Sequence, residues 1–151
     1  MLLEIRGHHL PGRTWAGDTV AHDDVHVGLQ VGREPAELVP GDADRATWTT
    51  ELRLVDLPDG TTDVRGPAVQ GRRGERFVYL TWGDLGADGG FAMFRRAKLM
   101  LADVLALGAG TDPGLGPDDH VVATVDLTDE RGGPRCARLE PPALTLTLAR
   151  G

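Results

Sequence analysis

The chain has 151 residues, 16 basic against 23 acidic, with a formal net charge of −7. That length and a 40% hydrophobic share fit one globular domain spanning 1–151, and the acidic balance opposes general nucleic-acid binding, which needs a broad basic face. No stretch approaches the roughly 18 apolar residues of a membrane span, MLLEIRGHHL lacks the layout of a secretory signal, and the lone Cys136 allows no internal disulfide, so the expected setting is the cytoplasm, with no membrane partner.

Leu2 to Arg6 alternates weakly and suits a short first strand, followed by a Gly/Pro loop, HHLPGRTWAGD. Strict period-two alternation from Val25 to Val31 predicts a strand with Val25, Val27, Leu29 and Val31 on one face. After a VPGD turn at 39–42, Trp48 to Val55 alternates again, with Trp48, Thr50, Leu52 and Leu54 together. Leu57-Pro58-Asp59-Gly60 and Gly66-Pro67 supply turn dihedrals. Arg76 to Trp82 is the most strand-like run, with Phe77, Tyr79 and Thr81 on one face and Val78, Leu80 and Trp82 on the other. From about Phe91 to Leu107, Met93, Phe94, Ala97, Met100, Leu101, Val104 and Leu105 fall on one helical arc, which predicts the principal helix. A glycine-rich loop at 108–119, a strand at 121–125, an antiparallel return at 136–139 and an alternating strand at 144–148 complete the chain. The expected class is α+β: a curved, mostly antiparallel sheet, or a partial barrel, with the 91–107 helix packed on one face.

Charge is unevenly spread. Residues 64–98 hold Arg65, Arg72, Arg73, Arg76, Arg95, Arg96 and Lys98 against Glu75, Asp84 and Asp88, a balance of 7 − 3 = +4, leaving 9 − 20 = −11 elsewhere. Such a segment either pairs with the acidic remainder or holds an external anion. For the second role, the glycine-flanked loop supplies Gln70, Arg72, Arg73 and Arg76, whose guanidinium forks match carboxylate or phosphate. Arg95 and Arg96 fall in the first turns of the expected helix, where the dipole disfavours cations unless an anion compensates. Trp82 would form a wall. With the helix following the strand, these two sets lie at opposite ends of it and meet only if the strand is short or the sheet curls.

The chain has no Ser and no Asn, and Lys98 is its one lysine. A serine nucleophile is therefore unavailable, and GRRGE is not a nucleotide-binding loop. The proton carriers on offer are His26, on the alternating strand, and Tyr79, the one tyrosine. His22, Asp24 and His26 share strand parity and, with His8 and His9, give an alternative metal-binding set. Residues i and i+4 on a strand sit roughly 13 Å apart, however, so His22 and His26 cannot share one ion. Neither a metal nor a cofactor is expected.

HVGLQ at 26–30, VPGD at 39–42, RGPAVQGRRGERFVYLTWG at 65–83 and MFRRAKLML at 93–101 resemble an uncharacterised family of small bacterial domains of unknown function. The resemblance spans most of the chain and implies a self-contained domain of this length; it implies no reaction and no functional residue.

The residues themselves favour a small-molecule-binding protein, or a cofactor-independent acid–base enzyme of isomerase, cyclase or lyase type, acting on an anionic metabolite, as in biosynthesis. The alternatives are a protein-interaction module without catalysis, a homodimer being one form, and a metal-dependent enzyme built on His22, Asp24 and His26.

Overall fold

Alternation between buried and open positions dominates the chain, and strands follow from it. The computed structural model describes residues 1–9, 26–40, 42–85, 91–111, 114–127 and 137–150. Its elements are β1 (Leu2–His8), β2 (His26–Val31), β3 (Glu34–Pro35), β4 (Glu37–Val39), β5 (Asp42–Glu51), β6 (Arg53–Asp56), β7 (Thr62–Arg65), β8 (Phe77–Leu85), β9 (Phe91–Met100), α1 (Leu101–Ala106), β10 (His120–Asp126), β11 (Ala137–Arg138) and β12 (Leu144–Ala149). One five-stranded sheet runs β12-β10-β1-β5-β4, a second runs β11-β9-β8-β2-β3, and β6-β7 is a separate hairpin. Among the described residues the protein is thus mainly sheet with one short helix, and its sheets are open rather than closed into a barrel. Pairing is mostly antiparallel; β1 with β10 and β9 with β11 are parallel. The parallel alignment of β11 corrects the antiparallel return expected there.

The inner faces of both sheets contribute to one apolar cluster. Leu3 and Ile5 of β1, Val121, Ala123 and Val125 of β10, Leu29 and Val31 of β2, Val78 and Leu80 of β8, and Ala97 and Leu99 of β9 are all buried in it. Every second residue points inward, as the pleat requires. Gly7 allows close approach between the sheets: a Cβ there would meet Leu29 at 3.0 Å and Leu127 at 2.9 Å. Leu80 is wholly enclosed, so Leu80→Ala should cost about 2–5 kcal/mol of unfolding free energy, read from urea denaturation. A cost under about 1 kcal/mol would mean that β8 does not centre the core.

The principal helix is not where the apolar arc put it. Phe91–Met100 is a strand, paired with β8 from Phe77↔Met100 to Leu85↔Phe91, and only Leu101–Ala106 is helical. Ala97 and Leu99 face the core while Arg96, Lys98 and Met100 alternate to the other side. Ala, Met, Lys and Leu favour helix intrinsically, but pairing with a long β-branched and aromatic neighbour overrides so weak a preference. The strand ends as Leu101 donates its N–H to Arg76 O at 2.9 Å. Leu101 and Val104 then anchor the short helix in the core. Among the described residues no helix is long and apolar enough to cross a membrane.

Candidate functional site

Strand register decides which polar side chains meet. On β8, Phe77, Tyr79 and Thr81 share the face turned away from Val78, Leu80 and Trp82. Antiparallel pairing sets Met100, Lys98 and Arg96 opposite them. Gln30 of β2 lies opposite Thr81 on the other flank, and Gln70 bridges to Phe77 through paired backbone bonds of 2.9 and 3.0 Å. Directly opposed residues point to the same face, so Gln30, Gln70, Phe77, Tyr79, Thr81, Arg96 and Lys98 form one polar and aromatic surface.

Its cations are seated on its rings. The Lys98 ammonium lies 4.4 Å from the Phe77 centroid and 5.7 Å from that of Tyr79. The Arg96 guanidinium lies 5.3 Å from the Tyr79 ring, and its Nε donates to Thr81 Oγ1 at 3.3 Å. Phe77 and Tyr79 meet edge to face, centroids 4.7 Å apart. Ring quadrupoles attract cations and restrict two otherwise mobile side chains. Among the described residues no carboxylate lies within ion-pair distance of Lys98.

The loop arginines divide. Arg76 is held internally: its Nε and Nη2 reach Asp63 Oδ1 and Oδ2 at 3.0 and 3.2 Å, and its Nη1 donates to Gly71 O. Asp63, buried on β7, also accepts from Arg65 Nε at 3.3 Å and from the Val64 N–H at 3.0 Å. These donors, Arg76 foremost and against the opposing effect of burial, hold its carboxyl down at about 2. Arg73 pairs with Asp59 at 3.2 Å, both exposed. Arg72 sits at the loop turn, exposed, where its carbonyl accepts the Glu75 N–H at 2.8 Å. For Arg73 and Arg76 the internal-pairing reading therefore describes what the side chains do.

The other candidates scatter. Arg95 is opposite Trp82, on the core-facing side of the ribbon, so strand parity separates both from Tyr79 and Arg96. Trp82 is buried, and its indole N–H has no acceptor among the described residues. His26 pairs in register with Leu85, and its side chain lies outside the described residues, as do His22 and Asp24. His9 Nδ1 lies 3.2 Å from Asp126 Oδ1, and among the described residues no three His, Cys, Asp or Glu side chains gather as a metal-ligand set.

Of the residues named from sequence, the structure therefore brings Gln70, Tyr79 and Arg96 together. It adds Gln30, Lys98, Phe77 and Thr81, none of which the sequence reading named as a site residue. Their shared face was visible for β8 alone; Lys98 and Arg96 join it only once 91–100 is a strand. The two arginine sets stay apart in register, Arg96 and Arg95 lying opposite Thr81 and Trp82 while the loop joins β8 at Phe77; the loop reaches the face through Gly71, where an added Cβ would stand 3.0 Å from the Phe77 ring that also carries Lys98.

A concavity of about 1260 Å³ lies elsewhere, between Met1, Leu52, Arg65, Leu105 and Leu115. Its charged lining mixes Glu51, Asp56, Asp118 and Asp119 with Arg53 and Arg65, which matches no single anion, and no residue of the β8–β9 face lines it.

Neither a curated protein nor a solved structure matches the chain. A family model does, over residues 1–149, with β8, β9 and the loop before them inside the match. The chain belongs to the family described as a family of unknown function (DUF5990).

Proposed function

We propose that the protein binds a small carboxylate- or phosphate-bearing molecule on the outer face of the β8–β9 ribbon. The observation that carries this reading is the seating of Lys98 over Phe77 and Tyr79 with no carboxylate in reach among the described residues. A cation restrained by rings rather than neutralised by an acid keeps its charge available to a ligand. Arg96, on the same ring of Tyr79, contributes a guanidinium fork steadied by the buried Thr81 hydroxyl, and Gln70 adds a hydrogen-bonding group at the margin.

The test is a thermal-shift panel of carboxylates and phosphates. A ligand at a hundredfold excess over Kd stabilises the fold by about 2.7 kcal/mol. Arg96→Gln/Lys98→Gln should remain folded and lose the ligand-dependent rise in Tm. An equal rise in that variant would overturn the proposal.

The acid–base enzyme reading rests on the same face, because the Tyr79 ring lies within 6 Å of both cations. Where the bound molecule is also turned over, Tyr79 is the proton carrier: Tyr79→Phe should keep binding and lose turnover. Retained turnover would remove Tyr79 from that role.

A further inference from the structure

Each five-stranded sheet ends in two strands whose outer backbone groups lack a strand neighbour among the described residues. Exposed edges template pairing with other chains, and proteins blunt them with short strands, proline, charge or bulges. Three of these four edges are blunted. β3 is Glu34–Pro35, two residues including a proline. β4 is three residues, begins with Glu37 and has a bulge between Leu38 and Val39. β11 is two residues and carries Arg138.

β12 has none of these devices. Leu144–Ala149 reads LTLTLA, is six residues long without charge or proline, and pairs with β10 in unbroken register. The charge that follows, Arg150, is turned into the neighbouring loop, on Gly114 O at 2.9 Å and Asp119 Oδ2 at 3.3 Å.

The phase of the ladder fixes which groups face outward. Asp126 donates its N–H to Ala143 O at 2.8 Å, and these two residues continue the register of the β10–β12 pair. Hydrogen-bonded pairs alternate along an antiparallel ladder, so Thr145 and Thr147 turn their backbone groups to β10. Leu146 and Leu148 turn theirs to the open edge. Leu144 also faces out, but its N–H is given to Glu140 O at 3.1 Å. The free donors are thus symmetric about Thr147. Leu146 and Leu148 pack on the core yet stay only partly buried, while Leu144 is 4% exposed.

We propose that β12 pairs antiparallel with β12 of a second copy of this chain, about a two-fold axis through Thr147. Leu146 of each copy then faces Leu148 of the other, satisfying both N–H and both C=O groups at each position. The leucines complete their burial on the inner face. The two Thr147 residues meet as a non-hydrogen-bonded pair with Cα atoms about 4.5 Å apart. A second copy fits because an uncharged strand with donors symmetric about one residue is complementary to itself. A partner strand carrying charge opposite Leu146 or Leu148 would bury that charge unpaired beside the core.

Thr147 is exposed, so charge there leaves the protomer intact. In sedimentation analysis up to millimolar concentration, the wild type should run at twice the 16.1 kDa chain mass. Thr147→Glu and Thr147→Lys should each run as monomers, and an equimolar mixture of them should recover the dimer. Independently of any variant, the Leu146 and Leu148 amides should gain hydrogen-exchange protection as wild-type concentration rises. A monomeric wild type, a dimer indifferent to both substitutions, or exchange at these amides that ignores concentration overturns the proposal.

Discussion

In Asp63→Asn, the share of the acid-dependent loss of stability that Asp63 contributes in the wild type between about pH 3.8 and about pH 2 is absent, leaving the share of the other lowered carboxyls, Glu4 and Asp59. The sign follows from the lowered carboxyl. Arg76, Arg65 and the Val64 N–H favour the ionised form in the folded state, so protons bind more tightly to the unfolded chain. The contribution is complete above the ordinary carboxyl value of 3.8 and falls away as pH drops through about 2. At neutral pH the variant is less stable than the wild type, because two guanidinium groups lose their carboxylate; the gap between the two proteins narrows as pH falls. Urea midpoints at pH 7, 4, 3 and 2.5 read this directly. Parallel curves for wild type and variant would show that Asp63 does not titrate against Arg76. The same series with Arg76→Ala separates structure from ligand binding: a substrate-holding Arg76 would leave the ligand-free stability unchanged, whereas the Asp63 pair requires a loss.

Gly71→Ala should destabilise the protein by roughly 3 kcal/mol, against about 1 kcal/mol for Gly74→Ala. The comparison isolates one cause. Both glycines have positive φ, 88° and 85°, so both substitutions carry the same backbone strain. Around Gly74 nothing lies within 4 Å of an added Cβ. At Gly71 that carbon would stand 2.5 Å from Glu75 O and 3.0 Å from the Phe77 ring. Relief requires the loop or the ring to move, and the ring seats Lys98. The ligand-dependent rise in Tm should therefore shrink in Gly71→Ala and persist in Gly74→Ala. Equal effects on stability and on ligand response would detach the loop from the β8–β9 face.

Strands with one buried face were legible in the residues. The alternation at Leu29 and Val31, at Val78 and Leu80, at Val121, Ala123 and Val125, and through Leu144 to Leu148 predicted which side is enclosed. The run at 91–100 was not, because its apolar residues satisfy a helical arc as well as a pleat. Only the neighbouring strand, distant in sequence at Phe77 and Tyr79, decides between them. The misreading propagated to the site: as a helix, residues 95 and 96 stand about 100° apart and could both border one site; as a strand, Arg95 and Arg96 point to opposite faces. That difference moved Arg95 beside Trp82 and brought Lys98 to the aromatic rings. The ion pair of Arg76 with Asp63 was equally hidden, since nothing local distinguishes Asp63 from the other carboxylates of an acidic chain.

The parallel match of β1 with β10 has a consequence for the order of assembly. β1 lies between β5 and β10, with Leu2 opposite both Glu51 and His120. During synthesis its edge toward β5 can close early, but the other edge waits for a segment more than a hundred residues downstream. The β8–β9 ribbon, by contrast, joins consecutive strands and can close as soon as both exist. Contacts of such different sequence separation are paid for in loop entropy at different times. The sheet carrying the basic and aromatic face thus has a local route to form, while the sheet containing β12 is completed last, with an unpaired central strand exposed to wrong partners in the interval.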